Sequence, residues 1–341
     1  MKRLGPHSVS RRINWTFDGG SGGQEVRTVK EMLALRERGH TVEVVCPRGA
    51  KIGVRPAELG FAVHHANMRG GGDIRSMMSI QALLRRCAFD VLNTHSGHDS
   101  LVAGTAGRLV GTPLVVRTRH LALPISSLAT YTWISHRVIA VSHYVRRYLI
   151  SAGVSAGRVE TIYDGIVKPE PVARSTLRAE LGLGPDAVIG CMRAKKGHVL
   201  RGCAPFLLPT HQEALGQSYI EAMAAGLPVI GTDVDGVPEL IGNNVNGLLL
   251  PPKNSDALRA ATVQLIDNPG LRTQLGNEGR RISENRFGID NMADETIDLY
   301  RRICADGTSA HEGPRACCSL LDVSPAYPGF AAYLVTETGR G

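Results

Sequence analysis

Aromatic residues are scarce: Phe, Trp and Tyr make up only 5% of the 341 residues. A binder of single-stranded nucleic acid stacks bases on rings set among basic residues, and this chain lacks the rings for it. Also missing is any apolar run near the ~18–20 residues that a membrane-spanning helix needs. The opening stretch "MKRLGPHSVSRRINWTF" is basic but has no continuous apolar core of a signal peptide, so a cytoplasmic protein is expected. The seven cysteines are Cys46, Cys87, Cys191, Cys203, Cys304, Cys317 and Cys318. No two have C-x-x-C spacing, which removes zinc and redox motifs of that type. An odd, scattered set fits reduced thiols better than a disulfide framework. No internal repeat is visible.

What is present describes a globular protein: 43% hydrophobic and 21% charged residues, in a chain long enough for two domains with ordinary cores. The net charge of +8 points to an anionic partner. With nucleic acid set aside, a phosphorylated substrate or an anionic membrane surface is preferred. Arg85, Arg86, Arg146 and Arg147 are the basic residues placed for peripheral membrane contact, unless they are simply solvated helix faces.

Apolar and polar positions alternate along the chain at a steady rhythm. "QEVRTVKEMLALRER" (24–38) has helical spacing and stops at Gly39, and "TVEVVC" (41–46) reads as a buried strand. "FAVHH", "FDVLNTH", "TPLVVRTRH", "RVIAVS" and "RVETIYDG" follow as strands with helices interleaved. Strand and helix in this order predict a doubly wound parallel sheet, whose ligands gather at the carboxyl ends of the strands. The Pro-bearing 166–175 reads as a linker. A second α/β region runs from "DAVIGC" to residue 287, and 288–303 is the last clear helix. Residues 305–341 are rich in Gly, Pro, Ser and Ala and predict a disordered tail.

The most specific stretch is "PTHQEALGQSYIEAMAAGLPVIGTD" (209–233). An apolar strand leads into Glu213, and Gly216 opens a helix that carries Glu221. Glycine lets a ligand approach the backbone closely, and the first N–H groups of the helix, at Gly216, Gln217 and Ser218, form a ready anion site. A diphosphate fits the helix tip, with one acid toward a sugar and the other toward a ribose. E-x7-E alone is weak, but E-x-x-G-x4-E-A-M-A-x-G-x-P-V-I between two strands is far more specific. With "GGQE", "RERGHTVEVVC", "VIAVSHYVRRYLI", "VETIYDGI" and "GVPELIGNNVNGLLLPPKNSDAL", the chain resembles the group 1, retaining, glycogen-synthase-like glycosyltransferases over residues 20–303.

The resemblance implies an α/β fold of two Rossmann-like doubly wound domains, the GT-B arrangement. Residues 1–170 would form the acceptor domain and 171–287 a shortened donor domain. Residues 288–304 would return as a helix toward the first domain, ahead of the tail. It implies that Glu213 contacts hydroxyls of the donor sugar and that Glu221 accepts hydrogen bonds from the ribose. Gly22 and Gly23 would approach the diphosphate, and His120 would lie near the reacting sugar. His95, at another strand end, is a weaker candidate. Lys196 of "IGCMRAKKGH" would neutralise the leaving pyrophosphate. Cys191 stands where the family usually has arginine, and Arg193 is its nearest replacement; a thiol cannot bind phosphate in bidentate fashion. No cofactor is implied beyond a UDP- or GDP-linked donor as co-substrate. Asp233-Val234-Asp235 spells D-x-D, but in a turn of this context it predicts no metal. "GGSGGQE" lacks the third glycine of a dinucleotide fingerprint.

Only 15 residues, 198–212, separate Gly197 from Glu213, where the family has several strands and helices. A crossover between parallel strands alone needs about a dozen residues. An internal deletion in the second domain follows. The expected function is sugar transfer, with retention, from a nucleotide sugar to a glycan or lipid-linked acceptor, as in cell-surface polysaccharide or lipopolysaccharide assembly. A catalytically impaired remnant that only binds is the alternative. A sugar-nucleotide epimerase of the same fold is a third, for which separate catalytic carboxylates are not evident.

Overall fold

The computed structural model describes residues 17–18, 23–68, 72–168, 176–184, 187–192, 203–306 and 330–334. The chain forms two units that do not follow it linearly. The first comprises Met1–Ala140, Tyr148–Ile162 and Ala293–Gly341, and the second Val141–Arg147 and Tyr163–Met292.

The first unit holds strands β1 (Phe17–Asp18), β2 (Glu43–Cys46), β3 (Ala62–His65), β4 (Val91–Thr94), β5 (Leu114–Arg119), β6 (Arg137–Ala140) and β7 (Val159–Thr161). Between them lie α1 (Gly23–Glu37), α2 (Lys51–Glu58), α3 (Ile74–Cys87), and a continuous helical stretch. That stretch runs from α4 (Gly97–Asp99) through π-helical Ser100–Gly104 to α5 (Thr105–Leu109). Local chemistry sets the limits of α3. The Asp73 carboxylate accepts the Ser76 N–H at 3.0 Å, and Ala88 closes the helix with φ 45°. Its apolar face (Ile80, Leu83, Leu84, Cys87) packs with Leu92, Val102 and Val115 in one core cluster. β4 is buried along its whole length and β5 at all but its last residue. Helices on both faces of a parallel sheet produce this burial.

The parallel strands run in the order β3-β2, then β4-β5-β6-β7, with strand β11 (Phe330–Leu334) antiparallel between β2 and β4. Tyr333 pairs with Val44 on one side and Asn93 on the other, and β1 pairs antiparallel with β11. This departs from a wholly disordered 305–341: "FAAYL" is an apolar run inside a Gly- and Pro-rich stretch, and it is long enough to pair. The rest of the expected tail beyond Asp306 lies outside the described residues, as does most of the expected linker.

The second unit contains α7 (Leu177–Glu180), β8 (Phe206–Leu208), α8 (Gln217–Ala224), β9 (Val229–Thr232), β10 (Gly247–Leu250), α9 (Ser255–Asp267) and α10 (Pro269–Arg286). Among the described residues its sheet has three parallel strands, β10-β9-β8, extended by a single parallel bridge from Cys191 to Phe206. Leu207, Ile230 and Leu248 share one core cluster with Ala261, Leu265 and Leu275 of α9 and α10. Helix α6 (His143–Ser151) begins in the second unit and ends in the first; α11 (Ile289–Asp306) does the same. Among the described residues no helix is long and apolar enough to cross a membrane.

Candidate functional site

In the second unit, β8 and β9 run parallel with Leu208 opposite Gly231, and the crossover between them carries Glu213 and α8. The Tyr219 hydroxyl donates to the Leu208 carbonyl, and its ring meets Phe206 edge-on at 6.0 Å. This pins the first turn of α8 to the end of β8. Gly216 caps the helix with φ +96°, and a Cβ there would lie 2.6 Å from Tyr219 Cδ2. Only glycine fits. The first N–H groups of α8, including those of Gln217 and Ser218, have no carbonyl one turn back within the helix. The Gln217 amide donates to Asp164 Oδ2 at 2.9 Å.

The Glu213 backbone is held at both its N–H and its carbonyl. Its N–H donates to Asp235 Oδ2 at 3.0 Å, and its carbonyl accepts the Gly236 N–H at 2.9 Å. Asp235, at φ 53°, therefore brackets the Glu213 loop. The Ser142 hydroxyl donates to the Ala214 carbonyl at 2.6 Å. Burial pushes the Glu213 carboxyl up, against the backbone N–H of Leu215, with Asp235 adding to the rise, the Ala214 N–H lowering it and Asp164 raising it. Glu221 follows on α8, partly exposed. The structure thus gathers Glu213, Gly216, Gln217, Ser218 and Glu221 on one loop and helix. Gly22, Arg193 and Lys196 lie outside the described residues, and Gly23 is the first residue of α1.

Sequence reasoning passed over Glu239. Its carboxylate accepts the N–H groups of His143 at 2.8 Å and Tyr144 at 2.5 Å, and the Tyr163 hydroxyl at 3.0 Å. The Arg286 guanidinium donates to the same Tyr163 hydroxyl at 2.7 Å. Burial and the Glu239 charge push the Tyr163 hydroxyl up to about 12, with Arg286 opposing. Nothing at sequence level links an acid to N–H groups some 95 positions earlier.

In the first unit, His95 and His120 each directly follow a strand, β4 and β5 respectively, and these strands are neighbours. Their rings meet: His95 Nδ1 and His120 Nε2 are 2.7 Å apart. The backbone N–H of His95 donates to Asp99 Oδ2 at 2.9 Å, and that of Ser96 to Asp99 Oδ1 at 2.8 Å. Burial holds both imidazoles well below their usual range. His120, Arg27 and Arg117 add to the effect at His95, and Arg27 and Arg119 at His120. Arg27 and Glu31 form a fully buried pair at 3.5 Å on α1. Their i,i+4 spacing was legible in the sequence, but their burial was not.

The family profile described as Glycosyltransferase Family 4 matches residues 21–167, and that described as Glycosyl transferases group 1 matches 179–282. Together they span most of the chain. The protein belongs to the group 1 glycosyltransferases.

The chain is 31% identical over 113 residues to alpha-maltose-1-phosphate synthase of Mycobacterium tuberculosis, covering 31% of this chain and 29% of that protein. It is 33% identical over 95 residues to the capsular polysaccharide biosynthesis glycosyltransferase CapM of Staphylococcus aureus, covering 28% and 25%. The matched part thus spans less than a third of either relative. Its fold is similar to that of Anabaena Alr3699/HepE, with TM-score 0.73 and 17% identity, over 86% of this chain and 98% of the other. That protein is described in complex with UDP and with UDP-glucose. The likeness agrees with two Rossmann-like α/β domains.

Proposed function

We propose that this chain transfers a sugar from a UDP- or GDP-linked donor to a glycan or lipid-linked acceptor, with retention and without a metal ion. The observation that carries this reading is the Glu213–α8 element, where a half-buried carboxyl stands beside a glycine-opened helix N-terminus at the carboxyl end of a parallel strand. Catalytic roles are proposed for Glu213 and His120. Donor-binding roles are proposed for Gly22, Gly23, Arg193, Lys196, Gly216, Gln217, Ser218 and Glu221. The UDP complexes of the Anabaena neighbour support a nucleotide-sugar donor, and the capsular relative supports a cell-surface polysaccharide context. The net charge of +8 supports peripheral contact with an anionic membrane, in the cytoplasm.

The test is nucleotide release from a panel of UDP- and GDP-sugars, with and without acceptor and EDTA. Acceptor-dependent release that survives EDTA and is lost in Glu213→Ala is expected. Release that needs manganese would overturn the metal-free reading. A second reading, a binding-only remnant, is favoured by the 15-residue 198–212 segment, too short for the strands and helices the family has there; nucleotide binding without release, under every acceptor, would select it.

A further inference from the structure

We propose that the amino-terminal edge of the first unit's parallel strands is a docking surface for an anionic bilayer. Trp133 and Leu109 enter the headgroup layer there, and Arg85, Arg108, Arg137 and Arg158 meet lipid phosphates. This deepens the membrane contact in the reading above by giving it a place, and its test does not need sugar transfer.

Topology builds the edge. In a parallel sheet the strand starts and the ends of the preceding helices lie together, opposite the carboxyl ends that His95 and His120 follow. The last turn of α3 carries Arg85 and Arg86 just before β4, and α5 ends in Arg108 and Leu109 before β5. Arg137 is the first residue of β6, and Arg158 directly precedes β7. Register keeps these starts level. The Asp90 carbonyl accepts the Leu114 N–H at 3.0 Å, and the Val115 carbonyl accepts that of His136 at 2.7 Å. Side-chain contacts then draw three of the arginines to one place. Arg158 donates to the Ser135 carbonyl at 3.0 Å, Arg137 donates to the His136 carbonyl at 2.9 Å, and the Arg108 guanidinium lies against the His136 ring. Burial, with these three cations, pushes the imidazole down to about 4, so the ring is neutral and the positive charge there is that of the arginines. Of the nearby acids, Asp90 stands between α3 and β4. Glu160 meets Arg302 at 3.4 Å, beside Glu295, Asp298 and Arg301 of α11.

The same edge holds apolar side chains that the fold leaves in water. Trp133, three residues before His136, is 81% exposed, and Leu109, next to Arg108, is 62% exposed. The turn that carries Trp133, Thr130–Ile134, is anchored from within. Tyr131 is buried with the Arg117 guanidinium 3.9 Å over its ring, and the Ser135 hydroxyl donates to the Thr130 carbonyl at 2.8 Å. Trp133 is therefore presented on a fixed turn. Indole favours the membrane–water interface, and arginines around it add attraction to anionic headgroups. A soluble polyanion would use the arginines but offer Leu109 no apolar phase, which favours a bilayer.

The full chain carrying Trp15→Phe keeps Trp133 as its sole tryptophan. It is mixed with phosphatidylcholine vesicles prepared with and without phosphatidylglycerol. Expected are sedimentation with the anionic vesicles only, a blue shift of Trp133 emission on binding, and quenching by brominated acyl chains. In the parent background, Trp133→Ser should weaken vesicle binding about tenfold with the thermal midpoint unchanged. Arg85→Gln and Arg108→Gln should each weaken it about fivefold. If Arg108→Gln does not fold, Arg85→Gln and the Trp133 spectra still decide. Equal binding to neutral vesicles, binding with no change in Trp133 emission, or full binding by Trp133→Ser would each overturn the proposal. So would capture by dextran sulfate with no binding to vesicles. Vesicle binding by a chain that releases no nucleotide would sink the proposed transfer and leave this surface standing; nucleotide release without vesicle binding would do the reverse.

Discussion

At Glu213 stability conflicts with the proposed catalytic role. Its carboxyl is pushed up chiefly by burial, with Asp235 and Asp164 nearby, so the ionised form works against the fold. Because the folded pKa is raised, the deficit is absent well below the ordinary carboxyl range and grows as pH climbs through the raised value. Glu213→Gln should therefore raise the thermal midpoint by about 2–4 °C at pH 8, with the gain shrinking on acidification, while turnover collapses. A lower midpoint would mean that the N–H groups of Leu215 and Ala214 bind the charge more strongly than burial opposes it. His136 tests the opposite sign. Burial, with Arg108, Arg137 and Arg158, pushes it down to about 4, and its Nδ1 accepts the Val115 N–H at 2.8 Å. Its contribution is complete above the unfolded value of about 6.5 and is lost as pH falls through the folded one. His136→Asn can keep the acceptor without titrating. Urea midpoints between pH 7.5 and 4.5 should show the parent losing stability relative to this variant; parallel curves would sink the assignment. At this scale the E-x7-E spacing was legible, because both acids lie on one short stretch around the glycine that opens α8. The use of Asp235 to hold the Glu213 backbone was not, because it depends on how two loops meet.

The element most exposed to single changes is α8. Gly216→Ala must place a methyl 2.6 Å from the Tyr219 ring at φ +96°, a conformation disfavoured for an L side chain. It should cost about 1–3 kcal/mol and weaken UDP or GDP binding, checked by urea titration and calorimetry. Helix α6 depends instead on Glu239, whose carboxylate takes two of its first N–H groups. Glu239→Ala should cost about 1–2 kcal/mol and shift the urea midpoint down with the slope unchanged. An unchanged midpoint would show that water replaces the cap at no loss. The strands of the first unit were readable as apolar runs because helices cover both faces of the sheet. β11 was hidden, since its five residues carry too short a signal within a Gly- and Pro-rich stretch.

For the molecule as a whole, the chain order and the structural units differ. Read linearly, a fragment ending near the expected linker should stand alone. Yet α11 contributes buried Ala293, Ile297, Leu299 and Tyr300 to the first unit, and Asn93 donates to the Tyr300 hydroxyl at 3.3 Å. Arg38 meets Asp294 at 2.6 Å, and Arg302 meets Glu160 at 3.4 Å. A chain ending at residue 287 should therefore expose that apolar surface and become protease-sensitive within residues 23–162. Resistance equal to that of the full chain would show that α11 adds nothing to this core.

The sequence by itself determined the α/β class, the strand rhythm of the first unit, the family and the spacing of Glu213, Gly216 and Glu221. These are local properties, written in burial periodicity and in turns that need particular residues. Only the tertiary structure decided that His95 meets His120, that Glu239 caps α6, and that residues 330–334 enter the sheet between β2 and β4. Each depends on strand register or loop packing between distant segments, and such contacts are set when apolar faces close on one another rather than by the residues adjoining them in the chain.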